Sequence, residues 1–146
     1  IGVTSAVALR RSAFAAAGGW DEQAPLRLDY DLWLRVARHG TVRWDAGHHV
    51  RYTMFADPAQ HLSARVGRHR AGVDYLLAKY AGEIDALGAA EARRARAEKW
   101  FAAARQVRRS SWAATLPLLL RGMLAWPRPR KLALLLPRAA LARLGY

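Results

Sequence analysis

The chain has 146 residues, a length suited to one domain of ordinary size, and 53% of them are hydrophobic, enough to bury a core. Cysteine is absent, which excludes disulfides, a thiolate nucleophile and cysteine-ligated zinc. The net charge of +13 is unevenly spread. Residues 1–56 carry seven Arg against five acids, residues 57–98 seven Lys/Arg against six acids, and residues 99–146 ten Lys/Arg and no acid.

In chain order, Val3–Leu9 is short, partly β-branched and bounded by small residues, and reads as a strand. The chain opens on Ile1 and is already in this strand two residues later, so a piece with its upstream part missing is expected. Arg10–Ala17 is Ala-rich and closes on Gly18-Gly19, the pattern of a short helix ending where glycine takes the left-handed cap conformation. Trp20–Leu28 lacks periodicity, contains Pro25 and reads as a loop. Asp29 to His39 is expected to be helical, with acids in its first turn, basic residues in its last and Gly40 as its stop. Thr41–Asp45 and His48–Met54 read as two further short strands joined around Gly47.

From there the pattern turns helical. Asp57-Pro58-Ala59-Gln60 is a start signal, with a capping acid, proline at the first helical position and Gln three residues after the cap. The helix it opens carries an apolar stripe of Leu62, Val66, Val73, Leu76, Leu77 and Tyr80, and stops at Gly82. A second helix from about Ala89 to Arg108 places Ala97, Trp100, Phe101, Ala104 and Val107 on one side. Ser110-Ser111 caps a third, Trp112–Trp126. Pro127 and Pro129 interrupt, and a fourth runs from about Lys131 to Leu144.

The histidines give no metal site. His48 and His49 are neighbours on an expected strand and point to opposite faces. His61 and His69 lie eight apart on a helix, not at the four-residue spacing of a two-histidine zinc site. No metal ligands are assigned in this chain.

The run SAVALRRSAFAAAGGWDEQAPLRLDYDLWLRVARHG, which begins at Ser5, resembles the C-terminal motif block of family 2 glycosyltransferases, inverting enzymes of the GT-A fold. The matching residues are Arg10, Arg11, Phe14, Gly18, Gly19, Trp20, Asp21 and Glu22, then Asp29, Asp31, Leu32, Arg35 and Gly40. Two positions depart from the family pattern: Leu28 stands where the first acid of an acidic pair is usual, and Arg51-Tyr52-Thr53-Met54-Phe55 lacks the usual histidine. Residues 41–54 resemble the strand pair that follows in the family, and residues 93–146 the helical tail of many bacterial members.

The resemblance implies an α/β fold over residues 1–56, the acceptor-side part of a GT-A domain, followed by an all-α extension over 57–146. It also implies transfer of a sugar from a nucleotide-sugar donor to an acceptor hydroxyl with inversion, in cell-envelope polysaccharide or glycolipid synthesis. Asp29 becomes the base that takes the acceptor proton, with a plain capping role as the alternative. Gly18, Gly19, Trp20, Asp21 and Asp31 become substrate-side residues. All but Asp21 have a structural alternative: the glycines as helix stops, Trp20 as core packing, Asp31 as a first-turn acid. Arg35 is expected to pair with an acid. A divalent cation, Mg or Mn, is expected for the whole enzyme, with its ligands outside this chain. Asp29-Tyr30-Asp31 opens a helix, whereas the family's metal-holding acids end a strand in the donor-binding half.

The basic tail is leucine-rich, and no apolar run in it approaches the ~20 residues needed to span a bilayer. Residues 99–146 are expected to attach to an anionic membrane surface, peripheral to the cytoplasmic face, where a lipid-linked acceptor is presented. The rival reading is a basic amphipathic membrane- or nucleic-acid-binding module without catalysis, although no nucleic-acid motif is present. A third is a degenerate, inactive interaction domain.

Overall fold

A computed structural model describes residues 4–47, 49–51, 66–108 and 110–136. The chain divides into two compact units, Ile1–Ala56 and Asp57–Tyr146.

In the first unit all regular structure among the described residues is helical, which overturns the α/β expectation. Thr4–Ala6 forms one 3-10 turn, closed by Val7 N–H on the Thr4 carbonyl at 3.2 Å. Val7 to Arg10 has no strand partner. Its alternating apolar residues, Val7 and Leu9, pack instead on a small core of Ala17, Leu32 and Trp33. Residues 41–47 and 49–51 are exposed and have no regular structure, and 52–54 lie outside the described residues. The physical reason is that a strand needs a neighbour for its backbone groups, and a lone two-stranded pair is marginal in water. None of these segments has such a neighbour among the described residues.

Helix α1 spans Arg11–Ala16 and α2 spans Leu28–Val36. α2 thus begins one residue earlier than expected and ends three earlier. The residue capping its start is Arg27, whose φ of 67° and ψ of 32° put a side-chain-bearing residue in the left-handed region.

In the second unit the expected start at Asp57–Gln60, and Leu62, lie outside the described residues. α3 is described over Val66–Lys79, and a short α4, Ala81–Asp85, follows after Tyr80. The helix therefore breaks at Tyr80 and not at Gly82, which sits inside α4, and Gly88, with φ of 88°, caps the next helix. Val73, Leu76 and Tyr80 are buried, as their spacing on one helix face requires, and His69 joins them at 3% exposure.

α5, Ala89–Val107, buries Ala97, Trp100, Phe101, Ala104 and Val107, the five residues its period placed together. It packs antiparallel on α6, Trp112–Ala125. Ser111 caps α6 by accepting the Ala114 N–H at 3.3 Å, and the buried Thr115 hydroxyl donates to the Ser111 carbonyl at 3.0 Å. Arg121 on α6 stacks over Trp100, 4.9 Å from its ring centre, and pairs with Asp74 of α3 at 3.3 Å. At the far end Arg93 Nε donates to the Ala125 carbonyl at 3.2 Å, and Arg128 meets Glu98 at 2.7 Å.

The expected fourth helix is also corrected. Pro129–Leu135 forms a 3-10 helix, Leu136 is extended, and 137–144 lie outside the described residues. Three consecutive carbonyls at its end are met by side chains from the α5–α6 turn. Arg108 Nε donates to Leu134 O at 2.7 Å, Arg108 Nη2 to Leu136 O, and Trp112 Nε1 to Leu135 O at 3.1 Å. Those side chains do what a continuing helix would have done for the same carbonyls.

Candidate functional site

The motif residues of the first unit come together around the α1 terminus and the first turns of α2. α1 ends in a Schellman arrangement, with Gly18 N–H on Ala15 O at 2.9 Å and Gly19 N–H on Phe14 O at 3.0 Å. Both glycines are left-handed, with φ of 77° and 67°. A Cβ on Gly19 would meet the Phe14 ring at 3.5 Å, an ordinary contact, so it is the backbone conformation that asks for glycine. Gly18→Ala is expected to destabilise this unit by about 1–2 kcal/mol, the strain of a Cβ in that region. Urea unfolding of the variant is the check, and an unchanged midpoint would remove the cap from the account.

The turn places Trp20 against two rings. It is edge-on to Phe14 at 6.2 Å and to Trp33 at 6.5 Å between centroids. Trp33 is buried, while Trp20 keeps 44% of its surface exposed. Trp20 is therefore both packing and surface. Asp21 forms the next turn, its Oδ1 accepting the Gln23 N–H at 3.1 Å.

The two acids of α2 are separated in role by the helix itself, since residues two apart do not face the same side. Asp31 is fully buried. Its Oδ2 takes Arg35 Nε at 2.9 Å and lies 2.7 Å from Arg35 Nη2, and Arg35 Nη1 donates to the Ala17 carbonyl at the end of α1. Asp31 and Arg35 thus tie α2 to α1, and Arg35 pairs with an acid as expected. Asp29 is the half-buried acid, at the second position of the helix and not at its cap. One oxygen accepts the Tyr30 N–H at 2.8 Å, and the other accepts no hydrogen bond among the described residues. Four residues on, Trp33 shares its helix face, about 5–6 Å away between Cβ atoms. A carboxylate with a free oxygen thus stands one turn from the Trp33–Trp20 pair.

Arg27 is a further candidate, which its place in the sequence does not mark. Its Nε and Nη2 are buried without a hydrogen-bond partner. Burial pushes its guanidinium below the usual arginine range, while Asp29 and Tyr30 act in the opposite direction. A left-handed backbone and buried donors without acceptors coincide in this one residue, the kind of local cost that makes a position a candidate. Nothing in the local sequence pattern marks it.

The remaining candidates scatter. Asp45 folds back on its own loop, accepting the Gly47 N–H at 2.7 Å and meeting His49 Nε2 at 3.1 Å, with both side chains exposed. His48 and His61 lie outside the described residues. Among the described residues no three His, Asp or Glu side chains gather as a metal site. Asp29 and Asp31 do not fit a shared divalent cation, because Asp31 is neutralised by Arg35 inside the unit. Comparison of the chain with protein-family models, curated proteins and solved structures found no match.

Proposed function

We propose that this chain carries the acceptor side of an inverting glycosyltransferase, with the nucleotide-sugar donor and its divalent cation held by residues outside 1–146. The supporting observation is Asp29, a carboxylate with one unbonded oxygen, one turn before Trp33 on the same helix face, and Trp33 in turn packs edge-on to the partly exposed Trp20. In this reading an acceptor sugar lies against Trp20, and its hydroxyl reaches the free oxygen of Asp29. As the hydroxyl oxygen bonds to the anomeric carbon, Asp29 takes its proton and the nucleotide diphosphate leaves from the opposite face. Asp31 holds the frame through its pair with Arg35. No step passes through a metal held by this chain.

The same reading places the protein at the cytoplasmic face of a membrane, with a lipid-linked acceptor. No described helix is long and apolar enough to cross one, so attachment would be peripheral.

The test is Asp29→Asn in the product of the whole reading frame, assayed for sugar transfer from nucleotide-sugar donors. General-base loss is expected to lower kcat by about 10²–10⁴-fold. Thermal unfolding should stay close to wild type, because Asp29 is half-buried and accepts one local bond. Wild-type turnover in the variant would end the catalytic assignment.

A further inference from the structure

Helix α6 has two apolar faces and only one is covered. Thr115, Leu118, Leu119 and Gly122 are buried. On the other side Trp112, Leu116, Leu120 and Leu124, spaced by four, are exposed by 56%, 40%, 51% and 82%. The residues between them on that side are Ala113 and Pro117, both exposed, so no polar group interrupts the stripe. A helix facing water normally carries polar residues there, and a continuous apolar stripe marks a contact surface. At one end the stripe runs on into exposed Leu136, next to the Leu135 carbonyl that Trp112 bonds.

The charge of the unit that carries this face argues for its occupant. No acid follows Glu98 in the sequence. Arg105 and Arg130 are exposed with no acidic partner among the described residues. Arg108 gives its guanidinium to carbonyl oxygens, so its charge is not neutralised. A second copy would set two strongly basic units against each other. An anionic bilayer satisfies both features, taking the leucines among its acyl chains and the arginines among its phosphates. Fourteen residues of helix reach about 21 Å, short of the roughly 30 Å hydrocarbon core, so α6 would lie in the interface and not cross it. A tryptophan at the end of the stripe suits the headgroup level.

We infer that the outer face of α6, formed by Trp112, Leu116, Leu120 and Leu124, seats this chain in the plane of an anionic lipid surface. The inference rests on the membrane-surface part of the proposed function and is independent of Asp29.

The test is co-sedimentation of the full chain with phosphatidylglycerol–phosphatidylcholine vesicles and with phosphatidylcholine alone. Wild type should bind the anionic vesicles and lose them at high salt. Leu120→Asp and Leu124→Asp should each weaken binding by about tenfold or more, with helicity unchanged because both side chains are exposed. Leu87→Asp, at a comparably exposed leucine in the α4–α5 turn, should bind as wild type does. Wild-type affinity in the two α6 variants, no vesicle binding by wild type, or a dimer held by these leucines would overturn the inference. So would tighter binding to duplex DNA that ignores the leucines. Asp29→Asn is expected to bind vesicles normally, so the surface and the catalytic reading fail on separate readouts.

Discussion

Replacing Phe101 by alanine is expected to destabilise the unit of residues 57–146 by about 3–5 kcal/mol. Phe101 is fully buried between α5 and α6, with the Lys131 ammonium 5.7 Å from its ring centre. Removing the ring loses its transfer energy and leaves a cavity that two long helices, pinned at both ends, cannot collapse to fill. Gly122 tells the other half of the contact. A Cβ there would stand 2.5 Å from Phe101 Cε1 and 2.7 Å from Cδ1, so the ring sits where a side chain would be. Gly122→Ala gains about 1 kcal/mol in helix propensity but forces overpacking worth about 1–3 kcal/mol. A net loss is therefore expected, and Phe101→Leu in the same chain should recover part of it. Urea unfolding followed by helical circular dichroism is the measurement. Purely additive effects of the two substitutions would mean that the ring does not occupy the glycine's space.

The second large effect is expected from Arg35→Leu in the first unit. The substitution leaves the Asp31 carboxylate buried without its cation and leaves the Ala17 carbonyl without its donor. Losing one partner of a buried pair costs about 3–5 kcal/mol, most of it the uncompensated charge. Replacing both partners, Asp31→Leu with Arg35→Leu, should be far milder, because no charge then remains inside. If the double variant is as unstable as the single one, the link to Ala17 and not the ion pair holds α2 to α1. The exposed pair Arg94–Glu91, at 3.8 Å on α5, sets the scale for comparison. Breaking it should cost no more than about 0.5 kcal/mol, since water screens both charges already.

The site was partly legible before the structure. The Gly18-Gly19 helix stop could be read directly, because a left-handed cap depends on a local rule of backbone sterics. That Arg35 would find an acid was also legible, since Asp31 lies one helical turn away. The separation of Asp29 from Asp31 needed the helix register, and the one-residue shift in the α2 start moved Asp29 off the cap. Trp33 and Arg27 were not visible as site residues. Trp33 stands out only through its packing on Trp20 from another segment, and Arg27 only through its left-handed backbone and buried donors.

By itself the sequence determined helices α5 and α6, the Ser111 cap, the buried side of α5 and the basic, acid-free tail. These follow from periodicity, capping and composition, which act over one or two helical turns. Only the tertiary structure decided the remaining features. Alternation at Val7 and Leu9 suits a strand, yet those residues cover a helical core, because a strand exists only where a partner meets its backbone. Leucine content in α6 could not say which face would remain open, and packing on α5 chose it. The 3-10 form of Pro129–Leu135 also lay beyond the sequence, since its last carbonyls depend on Arg108 and Trp112, some two dozen residues upstream.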